Sequence, residues 1–182
     1  MQRMLLTAIL AAPLIGSDSR TIEGHAYPVS ASTAAGMLSL VGVGDADWGW
    51  FDVHTSALYL PAGADRAAPL GGGPVRLILR YQRDFTAADF VKATTSTFSP
   101  GLTPEQRAAF APRLARWNAL FTPRAAGQEW RLTWLPGVGL ELADETGPRG
   151  LVEGDDFARA MLAIWLGDPP VDAGLRRALT GR

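Results

Sequence analysis

A chain of 182 residues with 47% apolar and 19% charged side chains has the size and composition of one globular domain, not of a disordered or collagen-like chain. Seventeen basic residues against 18 acidic ones leave a formal net charge of −1, which gives no field for nucleic acid or an anionic membrane. The lack of cysteine excludes disulfides, thiolate zinc sites and a cysteine nucleophile. Two histidines, His25 and His54, are too few for a histidine-built metal centre, so neither a metal nor a cofactor is expected.

At the N-terminus, one positive charge at Arg3 precedes the largely apolar run Met4 to Ile15 and a small polar exit, Gly16-Ser17-Asp18. That is the layout of a secretory signal peptide, expected over residues 1–18, with the folded domain over 19–182 and a periplasmic or secreted destination. The run is shorter than the ~20 apolar residues that cross a bilayer, so no integral membrane span is expected. The alternative is a buried first helix in a cytoplasmic protein; Pro13 and the lack of an A-x-A cleavage motif favour that side.

Thr21 to Tyr27 reads as a first strand ended by Pro28, and Met37 to Val41 as a second, closed by Gly42-Val43-Gly44. Trp48 to Leu60 alternates with period two: Phe51, Val53, Thr55, Ala57 and Tyr59 share one face, Trp50, Asp52, His54, Ser56, Leu58 and Leu60 the other. Val75 to Gln82 alternates likewise, Val75, Leu77, Leu79 and Tyr81 against Arg76, Ile78, Arg80 and Gln82. Helices follow. Thr86-Ala-Ala-Asp89 matches a capping box before Phe90, Thr94 and Thr97, and Thr103-Pro104-Glu105-Gln106 opens a helix striped by Phe110, Leu114 and Trp117. Gln128 to Leu135, Leu140 to Leu142 and the Asp144-Glu-Thr-Gly147 turn read as an antiparallel meander. Asp155 or Asp156 is expected to cap a helix through Phe157, Met161, Ile164 and Trp165, and Asp172 to open a last one ended by Gly181. The order predicts an antiparallel α+β fold.

No G-x-S-x-G elbow, P-loop or dinucleotide fingerprint is present. Trp117, Trp130, Trp134 and Trp165 fall on core faces and read as packing. His54 lies on the more polar face of its strand in line with Trp50. Arg80 and Gln82 lie on the polar face of the next long strand, which is either solvated or part of a cleft.

Leu135-Pro-Gly-Val-Gly139, Gly154-Asp-Asp-Phe-Ala158, Ile164-Trp-Leu-Gly-Asp-Pro-Pro-Val171 and Leu175-Arg-Arg-Ala-Leu-Thr-Gly181 resemble the bacterial chalcone isomerase-like family. Thr21-Ile-Glu-Gly24, Gly42-Val-Gly44, Phe51-Asp-Val53 and Trp117-Asn-Ala-Leu-Phe121 fit in order. The resemblance implies an open-faced β-sandwich, a curved antiparallel sheet with helices packed on one face. In plant enzymes of the superfamily an Arg, a Thr, a Lys, a Tyr and an Asn activate the phenolate. Their places fall here on Ala46, His54, Gln82, Phe90 and Thr97, and none matches. Relatives that bind fatty acids use the same Arg and Tyr.

The reading that follows is an exported protein that binds a small hydrophobic or carboxylate ligand, fatty-acid-like or aromatic, without catalysis; no catalytic residue is assigned. An isomerase of the intramolecular lyase type with a rebuilt site, and a structural protein with a packed cleft, are the alternatives. The expected cleft is lined by Trp50, His54, Arg80, Gln82, Phe90, Thr94 and Thr97. Arg80 and a cationic His54 are expected to supply the polar contacts.

Overall fold

A computed structural model describes residues 18–48, 51–98 and 101–181. The first expected strand is a hairpin: β1 (Ser19–Ile22) and β2 (His25–Pro28) turn at Glu23 and Gly24, both with positive φ. β3 (Ser30–Thr33), β4 (Gly36–Trp48), β5 (Phe51–Leu60), β6 (Val75–Tyr81), β7 (Glu129–Leu135), β8 (Gly139–Asp144) and β9 (Gly147–Glu153) then form one antiparallel sheet in sequence order. Two helices, α1 (Ala87–Phe98) and α2 (Pro104–Asn118), interrupt the meander after β6; α3 (Asp155–Leu166) and α4 (Ala173–Thr180) follow β9. None of these helices is long and apolar enough to cross a membrane.

Alternation sets two faces with different jobs. Leu58, Leu60, Leu77, Leu79, Leu132 and Leu142 point to the helices and join Phe110, Phe157, Met161 and Leu162 in the main core. Ala57, Tyr59 and Ile78 point the other way, into a smaller cluster closed by Tyr27 of the N-terminal hairpin and Leu38. At ~25 cal/mol per Å² of apolar surface, the larger cluster supplies most of the driving force.

The expected helix starts are present at three of four places. Asp89 Oδ2 accepts from the Thr86 amide at 2.8 Å, and Thr86 Oγ1 accepts from the Asp89 amide at 3.2 Å. Thr103 and Gln106 make a full capping box, and Asp172 Oδ1 accepts from the Leu175 amide at 2.9 Å. The fourth differs. Gly154, with φ of 105°, is the N-cap of α3, and neither aspartate caps it. Asp155 instead accepts from Trp134 Nε1 at 2.8 Å and from the Gly137 amide at 3.0 Å, tying α3 to the turn after β7. Asp156 pairs with Arg113 of α2 at 2.6 Å.

Gly42 and Gly44 do not end a strand; β4 continues through them, with a register shift against β5 between Leu40 and Gly42. They are glycine because α4 lies directly on β4. A Cβ at Gly42 would sit 2.3 Å from the Leu179 carbonyl oxygen and 2.4 Å from that of Ala178, and one at Gly44 would sit 2.8 Å from Ala178 Cβ. A local turn signal is here a close approach between two backbones. Gly42→Ala is therefore expected to lower stability by about 2–4 kcal/mol, because backbone cannot swing aside as a flexible side chain can. Gly101→Ala, where nothing lies within 4 Å of the added methyl group, is the control. Urea midpoints for the two variants check it.

Candidate functional site

Between the helix-facing side of β5–β7 and α1 lies a cavity of about 370 Å³. Tyr81 and Leu79 of β6 and Trp130 and Leu132 of β7 form its sheet wall. Phe90 closes one end with rings around it on several sides: Tyr81 at 5.0 Å, Phe121 at 5.4 Å, Phe85 at 5.6 Å and Trp130 at 6.0 Å between centroids. Behind Trp130, Arg124 lies 4.1 Å from its ring and pairs with Asp144 at 3.1 Å, so a buried cation holds the wall from outside the cavity. Ile164 and Trp165 of α3 bound the far side, with Val171 exposed at the rim.

The space exists because of what α1 carries. Phe90, Thr94 and Thr97 stand at i, i+4 and i+7, so all three face the sheet. A helix packed on a sheet ordinarily fills such positions with Leu, Ile or Phe; here the second and third are short. Thr97 Oγ1 donates to the Ala93 carbonyl at 2.8 Å, which turns its polar atom onto its own helix. Its methyl group is what remains to line the cavity.

His54 lines the same cavity from β5, partly buried. One ring nitrogen, Nδ1, is 2.8 Å from Ser56 Oγ, and the ring stands edge-on to Tyr81 at 5.9 Å and 78°. Burial pushes its pKa down to about 4, against the opposing pull of the Asp172 carboxylate at the start of α4. At neutral pH the ring is thus uncharged, a hydrogen-bonding group and not an anion anchor. Burial likewise pushes the Tyr81 phenol up, keeping it protonated. Among the described residues, the charged groups that line the cavity are all exposed ones: Arg83, Asp84, Asp89 and Lys92.

The structure thus brings together four of the seven expected cleft residues: His54, Phe90, Thr94 and Thr97. Trp50 lies outside the described residues. Arg80 does not join them. β5 and β6 pair His54 with Tyr81 and Thr55 with Arg80, so Arg80 is on the opposite face of the sheet. There its Nε donates to Glu129 Oε2 at 3.0 Å, and its guanidinium lies 5.1 Å from the Tyr27 ring. Gln82 follows the end of β6. Its amide donates to the Val53 carbonyl at 3.1 Å, and its side chain does not line the cavity. The expectation of a His54 cation also fails, for the burial just described. Conversely, Trp117, Trp130 and Trp165, which read as packing, are cavity walls as well as core. Tyr81 is a wall residue that alternation alone places only on a core face; its pairing with His54 is the signal the sequence lacks.

A family model described as chalcone isomerase-like matches residues 19–181. No curated protein sequence matches the chain. One similar solved structure is that of a fatty-acid binding protein from Arabidopsis thaliana, with a TM-score of 0.71 and 17% sequence identity over 90% of this chain and 96% of that one. At that identity the likeness speaks to the fold: a curled antiparallel sheet with four helices.

A depressed histidine pKa has a signed consequence. Below pH 6.5 the unfolded chain takes up a proton at His54 that the folded chain refuses until about pH 4. Its contribution is intact above pH 6.5 and falls between those values by up to ~1.4 kcal/mol per pH unit. His54→Gln is expected to flatten that part of the stability profile. NMR titration of wild type should show the imidazole unprotonated at pH 5.5, and a midpoint near 6.5 would contradict the burial argument.

Proposed function

The chain belongs to the chalcone isomerase-like family, and on that footing we propose that it is a non-catalytic binding protein for one small, predominantly apolar molecule. The observation that carries this reading is the cavity itself, about 370 Å³ bounded by aromatic and aliphatic walls and left open by Thr94 and Thr97. Small-molecule sites typically measure ~300–1,000 Å³ and combine apolar walls with a few polar groups. His54 and Tyr81 are such groups, at one wall. The volume speaks against the alternative of a packed cleft. The similar Arabidopsis structure, a fatty-acid binding protein, supports an alkyl or aromatic ligand.

Catalysis of the isomerase type needs a group that stabilises the charge developing in the transition state, usually the dominant source of rate enhancement. The resemblance places the family's cation-bearing positions on Ala46 and Gln82. Ala46 is a buried core residue across from His54, and Gln82 stands outside the cavity. A neutral His54 is a poor substitute for an arginine there. These placements support binding over turnover.

Filling the cavity should abolish binding without unfolding the protein. In Thr97→Phe the ring enters existing space, so the usual ~1–3 kcal/mol cost of overpacking a full core should not appear. The expected result is an unchanged or raised Tm together with at least a tenfold loss of affinity for medium-chain alkyl and aromatic ligands. Quenching of Trp117, Trp130 and Trp165 reads the affinity. Unchanged affinity would place the ligand elsewhere. Native mass spectrometry of protein taken from its own host, seeking a co-purifying molecule, gives the ligand's mass.

We also propose that the protein is exported. The support is the apolar run from Met4 to Ile15 directly before the domain that the family model matches from residue 19. N-terminal sequencing of protein from the host is expected to start between about Gly16 and Arg20. An intact Met1 on cytoplasmic protein would overturn export.

A further inference from the structure

We propose that Lys92, at the opening of the cavity, selects an anionic head group, so that the ligand is an amphiphilic acid held tail-inward with its carboxylate at the rim. This deepens the binding reading above and rests on it. Among the described residues the interior offers an anion no cation: His54 is neutral, bonded to Ser56 at Nδ1 and edge-on to Tyr81, and Arg80 is behind the sheet, held by Glu129. Placing a carboxylate among Phe90, Trp130 and Leu132 would strip its hydration with no cation to replace it. An acid can therefore enter only with its head left at the opening.

At that opening four charged side chains meet, and three of them already have work. Asp89 Oδ2 accepts from both the amide and the hydroxyl of Thr86, at 2.8 and 2.6 Å, to cap α1. Asp84 Oδ1 accepts from the Ala126 amide at 2.9 Å, tying the loop after β6 to the segment before β7. Arg83 lies over the Phe85 ring, 4.7 Å from its centroid. Lys92 remains. It is exposed and lines the cavity from α1; Asp89, three residues earlier, attracts its ammonium group, but among the described residues no carboxylate makes a close ion pair with it. It is also the chain's one lysine. A flexible four-carbon stem with a compact charge at its end suits a head group that stays partly in water.

The test compares decanoate with decanol on delipidated full-length protein at low salt, reading tryptophan quenching. Lys92→Gln is expected to lower the ratio of decanoate to decanol affinity about three- to tenfold, the effect of one partly solvated charge pair. Lys92→Arg should recover most of it, and the wild-type ratio should shrink toward the Gln variant's in 1 M salt, where the Debye length is ~3 Å. Because no other lysine exists, reductive dimethylation, which retains the charge, should leave the ratio in place while acetylation removes it. A ratio that Lys92→Gln leaves within twofold of wild type overturns the assignment and leaves the binding reading standing. Failure of wild type to bind either probe overturns both. Unchanged Tm of the variants shows that the fold is not what moved.

Discussion

Antiparallel pairing of His54 with Tyr81 decides which side chains in this protein can meet. Side chains alternate across a sheet with a period of two, so a shift of one residue between β5 and β6 would exchange every inner group for an outer one. As paired, Leu77, Leu79 and Tyr81 face the helices beside His54, and Arg76, Ile78 and Arg80 face the N-terminal hairpin. The apolar row can then continue through Trp130 and Leu132 of β7, because Leu79 pairs with Trp130 and Leu77 with Leu132. The cavity wall is that row. A single offset would put two arginines where the aromatic wall now stands.

The same pairing gives the outer face a different electrostatic character. Glu129 is almost fully buried between Arg80 and Arg131, with Nε of Arg131 at 2.5 Å, and Tyr27 shares a 2.6 Å hydrogen bond with Thr55. Burial there raises the Tyr27 phenol's pKa, with the Thr55 bond acting against it. Buried ion pairs of this kind contribute little net stability but are costly to break, since the remaining charge has no water to turn to. This side of the sheet is therefore a closed layer whose charged groups are paired, with the buried Tyr59 hydroxyl left without a partner. Ligand chemistry is left to the helix side, where His54, Tyr81 and the threonines of α1 are neutral polar groups among apolar walls.

What is legible in the sequence follows from the range of each signal. Caps at Thr86, Thr103 and Asp172 are read within three residues and stand as expected. The α1 positions Phe90, Thr94 and Thr97 follow from helical spacing, and the family resemblance places His54 near them. Alternation identifies two faces in each long strand, but it carries no information on which face of one strand meets which face of the next. Polarity alone groups Arg80 and Gln82 with His54, and it is a poor guide because Tyr81 and His54 share the inner face. Gly42 and Gly44 show a related failure: a glycine required by a helix packed from ~130 residues away looks locally like a turn. Asp155 next to Asp156 looks like a cap, whereas one binds the Trp134 indole and the other Arg113, both distant in sequence.

The lining of α1 connects this strand register to function. Two threonines in place of long apolar residues give up burial at a helix–sheet contact, where a filled position would gain roughly 1.5–3 kcal/mol per Leu or Phe side chain. A fold free of other demands would fill that space, as it does around Trp117, Trp134 and Phe157, which are buried to within 1% of full enclosure. The gap is local. It is bounded by aromatic rings and aliphatic side chains, and the charged residues around the first turns of α1 stand at its opening. Apolar walls favour a hydrocarbon or aromatic body by area alone and set no orientation. Orientation has to come from the end where water and charge are available, because among the described residues a charged group drawn inward would meet neutral groups: an imidazole, a protonated phenol and the threonines of α1. The arrangement is thus polar at one end and indifferent along its length, which is the geometry that accepts an amphiphile in a single direction.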